Sequence, residues 1–296
     1  MPQVTTSDGT TLYVKDWGEG RPVVMVHGWP LSCDTFDDLA LTLVEGGFRA
    51  ISYDRRGFGR SSQPWRGYDY DTLADDLAAV IRETGAHACT LLGFSMGGGE
   101  VARYLSRHGG ADVRQAVLVS SVVPSLMRAD DNPGGVEPRV ADEIGRDLCE
   151  DRADFFVRFF RDFYGVGLLS HPVTDAVVDW SRAQAMQAGL RATIACADAF
   201  ATTDFTTDLA AFTMPTLVVH GTADRTVPID AAARRVAAAL PHTLLREYVD
   251  APHGLLASHK ESLAADVLAF LRGEPLPEPA AIDMGVTLLP MDPKTA

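Results

Sequence analysis

Short apolar runs recur along this chain and alternate with longer stretches of helical spacing. Pro22-Val23-Val24-Met25-Val26, Cys89-Thr90-Leu91-Leu92 and Thr216-Leu217-Val218-Val219 are almost continuously apolar, as strands covered on both faces must be. Arg49 to Tyr53, Gln115 to Ser120 and Leu244 to Val249 read as further strands. Helical patterns lie near Phe36 to Glu45, from Thr72 to Glu83 and from Glu100 to Arg107. Two short strands open the chain, Val4 to Thr6 and Thr11 to Trp17, with Asp8-Gly9 as the hairpin turn signal between them. Alternation of this kind predicts an α/β fold: a mostly parallel sheet flanked by helices. Sites in such sheets lie outside the carboxyl ends of the strands.

The alternation breaks between about Pro124 and Thr213, after the sixth strand. That region reads as helices inserted over the strand ends, a cap entered through the loop-like Asp130-Asp131-Asn132-Pro133-Gly134-Gly135. Phe156, Phe159, Phe160 and Phe163 share one face of a helix there. Packing of cap onto core accounts for most of them, and Phe160 or Phe163 is a candidate wall of an acyl pocket. After Arg272 the sequence becomes Gly273-Glu274-Pro275-Leu276-Pro277-Glu278-Pro279, a proline-rich spacer. The expected organisation is one domain over 1–272 with its cap at about 124–213, then a tail over 273–296. Residues 280–296 carry apolar side chains without helical period. They read as a flexible end, or as an arm on the chain's own body or on a neighbouring subunit of a homo-oligomer.

The chemistry concentrates at Gly93-Phe94-Ser95-Met96-Gly97. A strand precedes it and a helix follows, the setting of a G-x-S-x-G turn that exposes a nucleophilic serine oxygen. Such a serine needs an imidazole base and a carboxylate to orient it, in the chain order Ser, acid, His. Asp224 lies in the loop after the Thr216 strand, and His253 in the loop after the Leu244 strand. Asp250 is a rival acid whose alternative role is to brace the His253 loop. His220 ends a strand and reads as a core hydrogen-bonding residue, not a base. The loop His27-Gly28-Trp29-Pro30 follows another strand. By position the backbone N–H groups of Trp29 and Met96 form an oxyanion hole. His27 is read as pinning that loop. Asp54-Arg55-Arg56-Gly57-Phe58-Gly59 lacks the lysine of a phosphate-binding loop and reads as scaffold at the rim of the site.

Composition narrows the classes. A net charge of -14 argues against nucleic acid and anionic membrane partners. No segment has the form of a signal peptide or a bilayer span. Cys33, Cys89, Cys149 and Cys196 lack metal-ligand spacing, and Cys89 and Cys196 read as small buried hydrophobes. A cytoplasmic protein without metal or cofactor is the expectation.

These segments together resemble one family, the cofactor-free bacterial haloperoxidases and aryl esterases within the α/β-hydrolase fold. The resemblance is carried by Thr6-Ser7-Asp8-Gly9-Thr10, His27-Gly28-Trp29-Pro30-Leu31-Ser32, Tyr53 to Ser61, Gly93 to Tyr104, and Pro215 to Gly221. It implies the triad Ser95, Asp224 and His253 with oxyanion donors Trp29 and Met96. With the position of the cap, it also implies a substrate pocket formed by Pro30, Val122, Leu126, Phe160, Phe163 and Val227. The implied substrates are small esters or carboxylic acids. The implied side reaction is perhydrolysis, in which peroxide releases a peracid. Pro30, which fixes φ and restricts Trp29, reads either as offering backbone to the bound peroxide or as merely stiffening the oxyanion loop. Lactone, lactam or carbon–carbon bond hydrolysis by the same triad stays open as an alternative, as does a non-catalytic receptor on the same fold.

Overall fold

The computed structural model describes residues 3–278. β1 (Gln3–Thr5), β2 (Thr11–Trp17) and β4 (Phe48–Tyr53) pair antiparallel in that order. β4 then pairs parallel with β3 (Arg21–Val26), and the parallel run continues through β5 (Cys89–Phe94), β6 (Val113–Val119), β7 (Thr216–Gly221) and β8 (Leu244–Tyr248). The sheet order is β1-β2-β4-β3-β5-β6-β7-β8. β5 and β7 are buried at every position. β2, nearer the edge, alternates buried with half-buried residues before becoming half-exposed.

The helices of the body are α1 (Asp37–Glu45), α2 (Tyr70–Thr84) and α3 (Met96–His108). Two of these begin earlier than the apolar periodicity suggests. α2 starts at Tyr70 because Asp69 caps it, its Oδ1 accepting the Thr72 N–H at 2.9 Å. α3 starts directly after Ser95, so the glycines that look like a loop are its first turn.

Between β6 and β7 lie α4 (Arg139–Phe163), α5 (Asp175–Gln187) and α6 (Leu190–Thr202). α4 is two helices joined at Asp151, whose φ and ψ of -152° and 89° are not helical. The Asp151 carboxylate accepts the Asp154 N–H at 3.0 Å and so caps the second half. The body resumes with α7 (Ala233–Ala239), α8 (Leu255–Ser258) and α9 (Lys260–Arg272).

Trp29 holds cap and body together. Its indole Nε1–H donates to the Thr193 carbonyl of α6 at 2.9 Å, and its ring packs against Phe155, Phe156, Phe159 and Phe200. Nearby, Ser32 Oγ–H donates to Gln184 of α5 at 2.7 Å. The Asp54–Gly59 stretch is scaffold, as its composition suggests. Arg56 binds Asp76 and Asp8, while Asp54 binds Arg60 and the Cys33 N–H. Cys33, Cys89 and Cys196 are buried, Cys149 is exposed, and all four are free thiols. Leu276 of the proline-rich spacer packs on the core, and the Pro277 carbonyl accepts from Arg246. The apolar residues expected in 280–296 lie outside the described residues. No described helix is long and apolar enough to cross a membrane.

Candidate active site

β5 hands directly to α3 at Ser95, which takes φ 54° and ψ -120°. A non-glycine residue at positive φ is strained, and the surroundings must hold it there. They do so through the Ser95 N–H to Val119 O at 2.8 Å, and through Gly98 N–H to Ser95 O at 3.0 Å. The turn is tight enough that a Cβ on Gly97 would stand 2.2 Å from the Val26 carbonyl oxygen. Glycine is required there by the close approach of β3.

Ser95 Oγ lies 2.9 Å from His253 Nε2, and His253 Nδ1 lies 2.6 Å from Asp224 Oδ2. Ser95, His253 and Asp224 thus form one unbroken hydrogen-bond chain. The His253 loop is clamped from three sides. Ser120 Oγ–H donates to His253 O at 3.1 Å, Gly254 N–H donates to Phe163 O at 3.0 Å, and Phe94 and Phe163 pack on the ring. Burial alone would raise the Asp224 carboxyl, but His253 and His220 beside it bring it down to about 2. Asp250 is exposed, takes φ 57° and donates its N–H to Thr222 Oγ1 at 2.8 Å. The structure therefore pairs His253 with Asp224 and leaves Asp250 as a loop brace.

The Met96 N–H opens α3, and the Trp29 N–H lies in the loop after β3. Among the described residues neither donates a hydrogen bond. The N-terminus of α3 adds positive partial charge at the same place. The loop presses against the nucleophile, since a Cβ on Gly28 would meet Ser95 Cβ at 3.0 Å. His27 pins it: Nε2 accepts the Arg55 N–H at 2.9 Å, and Nδ1–H donates to Gly28 O at 2.9 Å. Burial and the Arg55 charge lower His27 to about 3, so its ring is neutral. Arg55 also donates to His27 O and to Glu100 on α3, which ties the loop to the nucleophile helix. Burial pushes Glu100 up to about 7 against the pull of Arg55 and Tyr53.

Above Ser95 is a cavity of about 50 Å³ with almost wholly apolar walls. Trp29, Val122 and Val227 line it from the body, Leu126 at the entry to the cap, and Ile144 and Phe159 of α4 with Phe200 of α6 from the cap. Three expected pocket residues are placed elsewhere. Phe160 is fully buried in the aromatic cluster of α4, and Phe163 packs against Phe94 and His253. Phe159, about 100° around the helix from Phe160, is the ring that reaches the cavity. Pro30 is buried at the corner of a turn closed by Leu31 N–H to Gly28 O at 3.0 Å, and the Trp29 indole takes the cavity wall instead.

Comparison with known proteins identifies the fold family. The family described as alpha/beta hydrolase fold matches residues 21–260. The chain belongs to this family. Within it, the chain is 42% identical to a non-heme chloroperoxidase of Kitasatospora aureofaciens, over 92% of this chain and 99% of that protein. It is 38% identical to a bifunctional esterase/perhydrolase of Acinetobacter calcoaceticus, over 92% of this chain and all of that protein. The crystal structure of a bromoperoxidase from Bacillus anthracis superposes with a TM-score of 0.88 at 37% identity, covering 92% of this chain and 99% of that one.

As an α/β hydrolase the chain has one contact at its acid that the sequence reading passes over. His220 Nε2 stands 3.2 Å from Asp224 Oδ2 and 2.8 Å from Val227 O. The signal was present in His220-Gly221-Thr222-Ala223-Asp224, where a strand-end histidine precedes the acid by four residues.

Proposed function

We propose that this α/β hydrolase is a serine esterase of short-chain or aryl carboxylic esters, with perhydrolase activity when peroxide is present. The observation that carries it is the continuous Ser95–His253–Asp224 hydrogen-bond chain beneath an apolar cavity. Ser95 Oγ attacks the ester carbonyl while His253 Nε2 takes its proton, and Asp224 holds the imidazolium through Nδ1–H. The Trp29 and Met96 N–H groups stabilise the oxyanion, at roughly 3–4 kcal/mol per donor. His253 returns the proton to the leaving alcohol, and the acyl group remains on Ser95. Water, activated by His253, then releases the acid and regenerates Ser95. Hydrogen peroxide in the same position releases a peracid, which in solution oxidises halide ion to hypohalous acid while returning to the carboxylic acid, and the hypohalous acid halogenates a second molecule. The named activities of the chloroperoxidase and esterase/perhydrolase relatives support this reading.

The small apolar cavity supports short, uncharged acyl groups. A cytoplasmic setting belongs to the same proposal, supported by the free buried thiols.

The test is p-nitrophenyl acetate turnover with organophosphonate labelling. Ser95→Ala is expected to abolish labelling and lower kcat by about 10⁴-fold or more. Persistent labelling in that variant removes Ser95 as the nucleophile. Bromination in peroxide is expected in acetate buffer and not in a buffer free of carboxylic acid. Equal rates in both buffers contradict the peracid route.

A further inference from the structure

We infer that His220 is a positioning residue for Asp224: a second imidazole, fixed in one tautomer by a backbone carbonyl, holds the acid that orients His253. The inference rests on the reading of Ser95, His253 and Asp224 as the catalytic set. His220 ends β7 and is fully buried. Its Nε2 lies within hydrogen-bond distance of both the Val227 carbonyl oxygen, at 2.8 Å, and Asp224 Oδ2, at 3.2 Å. A carbonyl oxygen only accepts, so Nε2 carries the proton, bonded to Val227 O and lying 3.2 Å from Asp224 Oδ2. Nδ1 is then the bare lone pair, and it is buried without a hydrogen-bond partner. A ring present for packing alone would do better as phenylalanine or leucine, which strand no polar atom. What imidazole adds at this position is the Nε2–H against the acid.

That donor completes the shell of Asp224. Oδ1 accepts the Thr226 and Val227 N–H groups at 2.9 and 2.8 Å, Oδ2 accepts from His253 at 2.6 Å, and His220 Nε2 stands 3.2 Å from Oδ2. Three hydrogen bonds, with the His220 Nε2–H close beside them, surround the carboxylate and fix its plane. The two imidazole contacts are unequal, and His220 has a second acceptor in Val227 O. When His253 takes the serine proton and draws Oδ2 toward itself, His220 yields without losing its hydrogen bond.

A donor into Asp224 also draws negative charge off the carboxylate and so weakens its hold on an imidazolium. Few other ionisable groups face this set. Ser95 meets His253, and Glu247 pairs with His220 across β7 and β8 but is bound by Arg234. Tyr248 on the same strand donates to Asp266, and Arg225 and Asp250 are exposed. Phe94 and Phe163, packed on His253, are uncharged.

The experiment is the pH dependence of kcat and kcat/KM on p-nitrophenyl acetate for wild type, His220→Leu and His220→Gln, with circular dichroism of each. Glutamine carries an amide N–H to about the position of Nε2, whereas leucine carries none. His220→Leu is expected to lower kcat by about tenfold or more with KM little changed. Its acid limb is expected to move up by about half a pH unit. His220→Gln is expected to restore most of the rate and the wild-type limb. Wild-type rate and limb in His220→Leu overturn the proposal, as does a natively folded His220→Gln as impaired as His220→Leu. Should His220→Leu fail to fold, His220→Asn replaces it, because its shorter amide does not reach Asp224. Equal activity of the Asn and Gln variants then overturns the proposal. Full turnover in Ser95→Ala sinks the triad reading itself. An inactive Ser95→Ala beside an unimpaired His220→Leu sinks only the role of His220.

Discussion

Asp224 is held ionised inside the protein, with its carboxyl near 2 despite full burial. Because the folded value lies below the ordinary 3.8, its stabilising contribution is present above about pH 4 and is lost as pH falls through about 2. The size is on the order of 2 kcal/mol. The stability gap between wild type and Asp224→Asn is therefore expected to narrow on acidification from about pH 5 to about pH 2. Thermal melts across that range check it, and a constant gap contradicts it. At neutral pH the same variant is expected to lose about 10³–10⁴ in kcat, because asparagine leaves His253 in the wrong tautomer. Asp250→Asn, at an exposed side chain, is expected to stay near wild type. That Ser95, His253 and Asp224 would come together was legible because each sits just after a strand end in a fixed chain order. His220 was not legible as part of the site. A strand-end histidine looks the same in sequence whether its ring meets a carboxylate or only a carbonyl.

At the scale of elements, α4 shows where periodicity stops informing. The 3.6-residue repeat correctly puts four phenylalanines on one broad face. Which edge of that face meets the cavity depends on the break at Asp151 and on the seating of α6, and neither is local. Phe159 and Phe160 therefore predict different outcomes. Phe159→Ala opens the cavity wall, and its ester profile is expected to move toward longer acyl chains with a modest loss of stability. Phe160→Ala empties a fully buried site and is expected to cost about 3–5 kcal/mol while leaving the profile of the folded enzyme in place. Chain-length kinetics and denaturant melts on both variants separate these roles, and a profile shift in Phe160→Ala alone would reverse them. The early start of α3 has a similar cause. Consecutive glycines read as loop, but here Gly97 permits the approach to β3, while Gly98 packs against Ser121 and Gly99 against Phe205 and Tyr70.

At the scale of the molecule, the alternating pattern was enough to read the sheet, because parallel strands must be apolar throughout when both faces are covered. The joint between cap and body was less legible. It runs through single side chains, Trp29 to Thr193 and Ser32 to Gln184, that no local pattern couples. Trp29→Phe keeps the backbone donor and most of the aromatic packing while deleting the indole N–H. It is expected to cost about 1 kcal/mol and to speed amide hydrogen exchange in α6 more than in α3. Uniform exchange in both helices would assign the bond no part in seating the cap.

Trp29 carries both the backbone N–H proposed to hold the oxyanion and an indole N–H bonded to the cap. A cap that lifts away from the sheet must break the bond to Thr193 or drag the oxyanion loop with it. Under the proposed mechanism either event takes an oxyanion donor away from Ser95 or frees the cap from it. The tryptophan would then work as a safety catch, coupling the reach of the serine to a shut chamber above it.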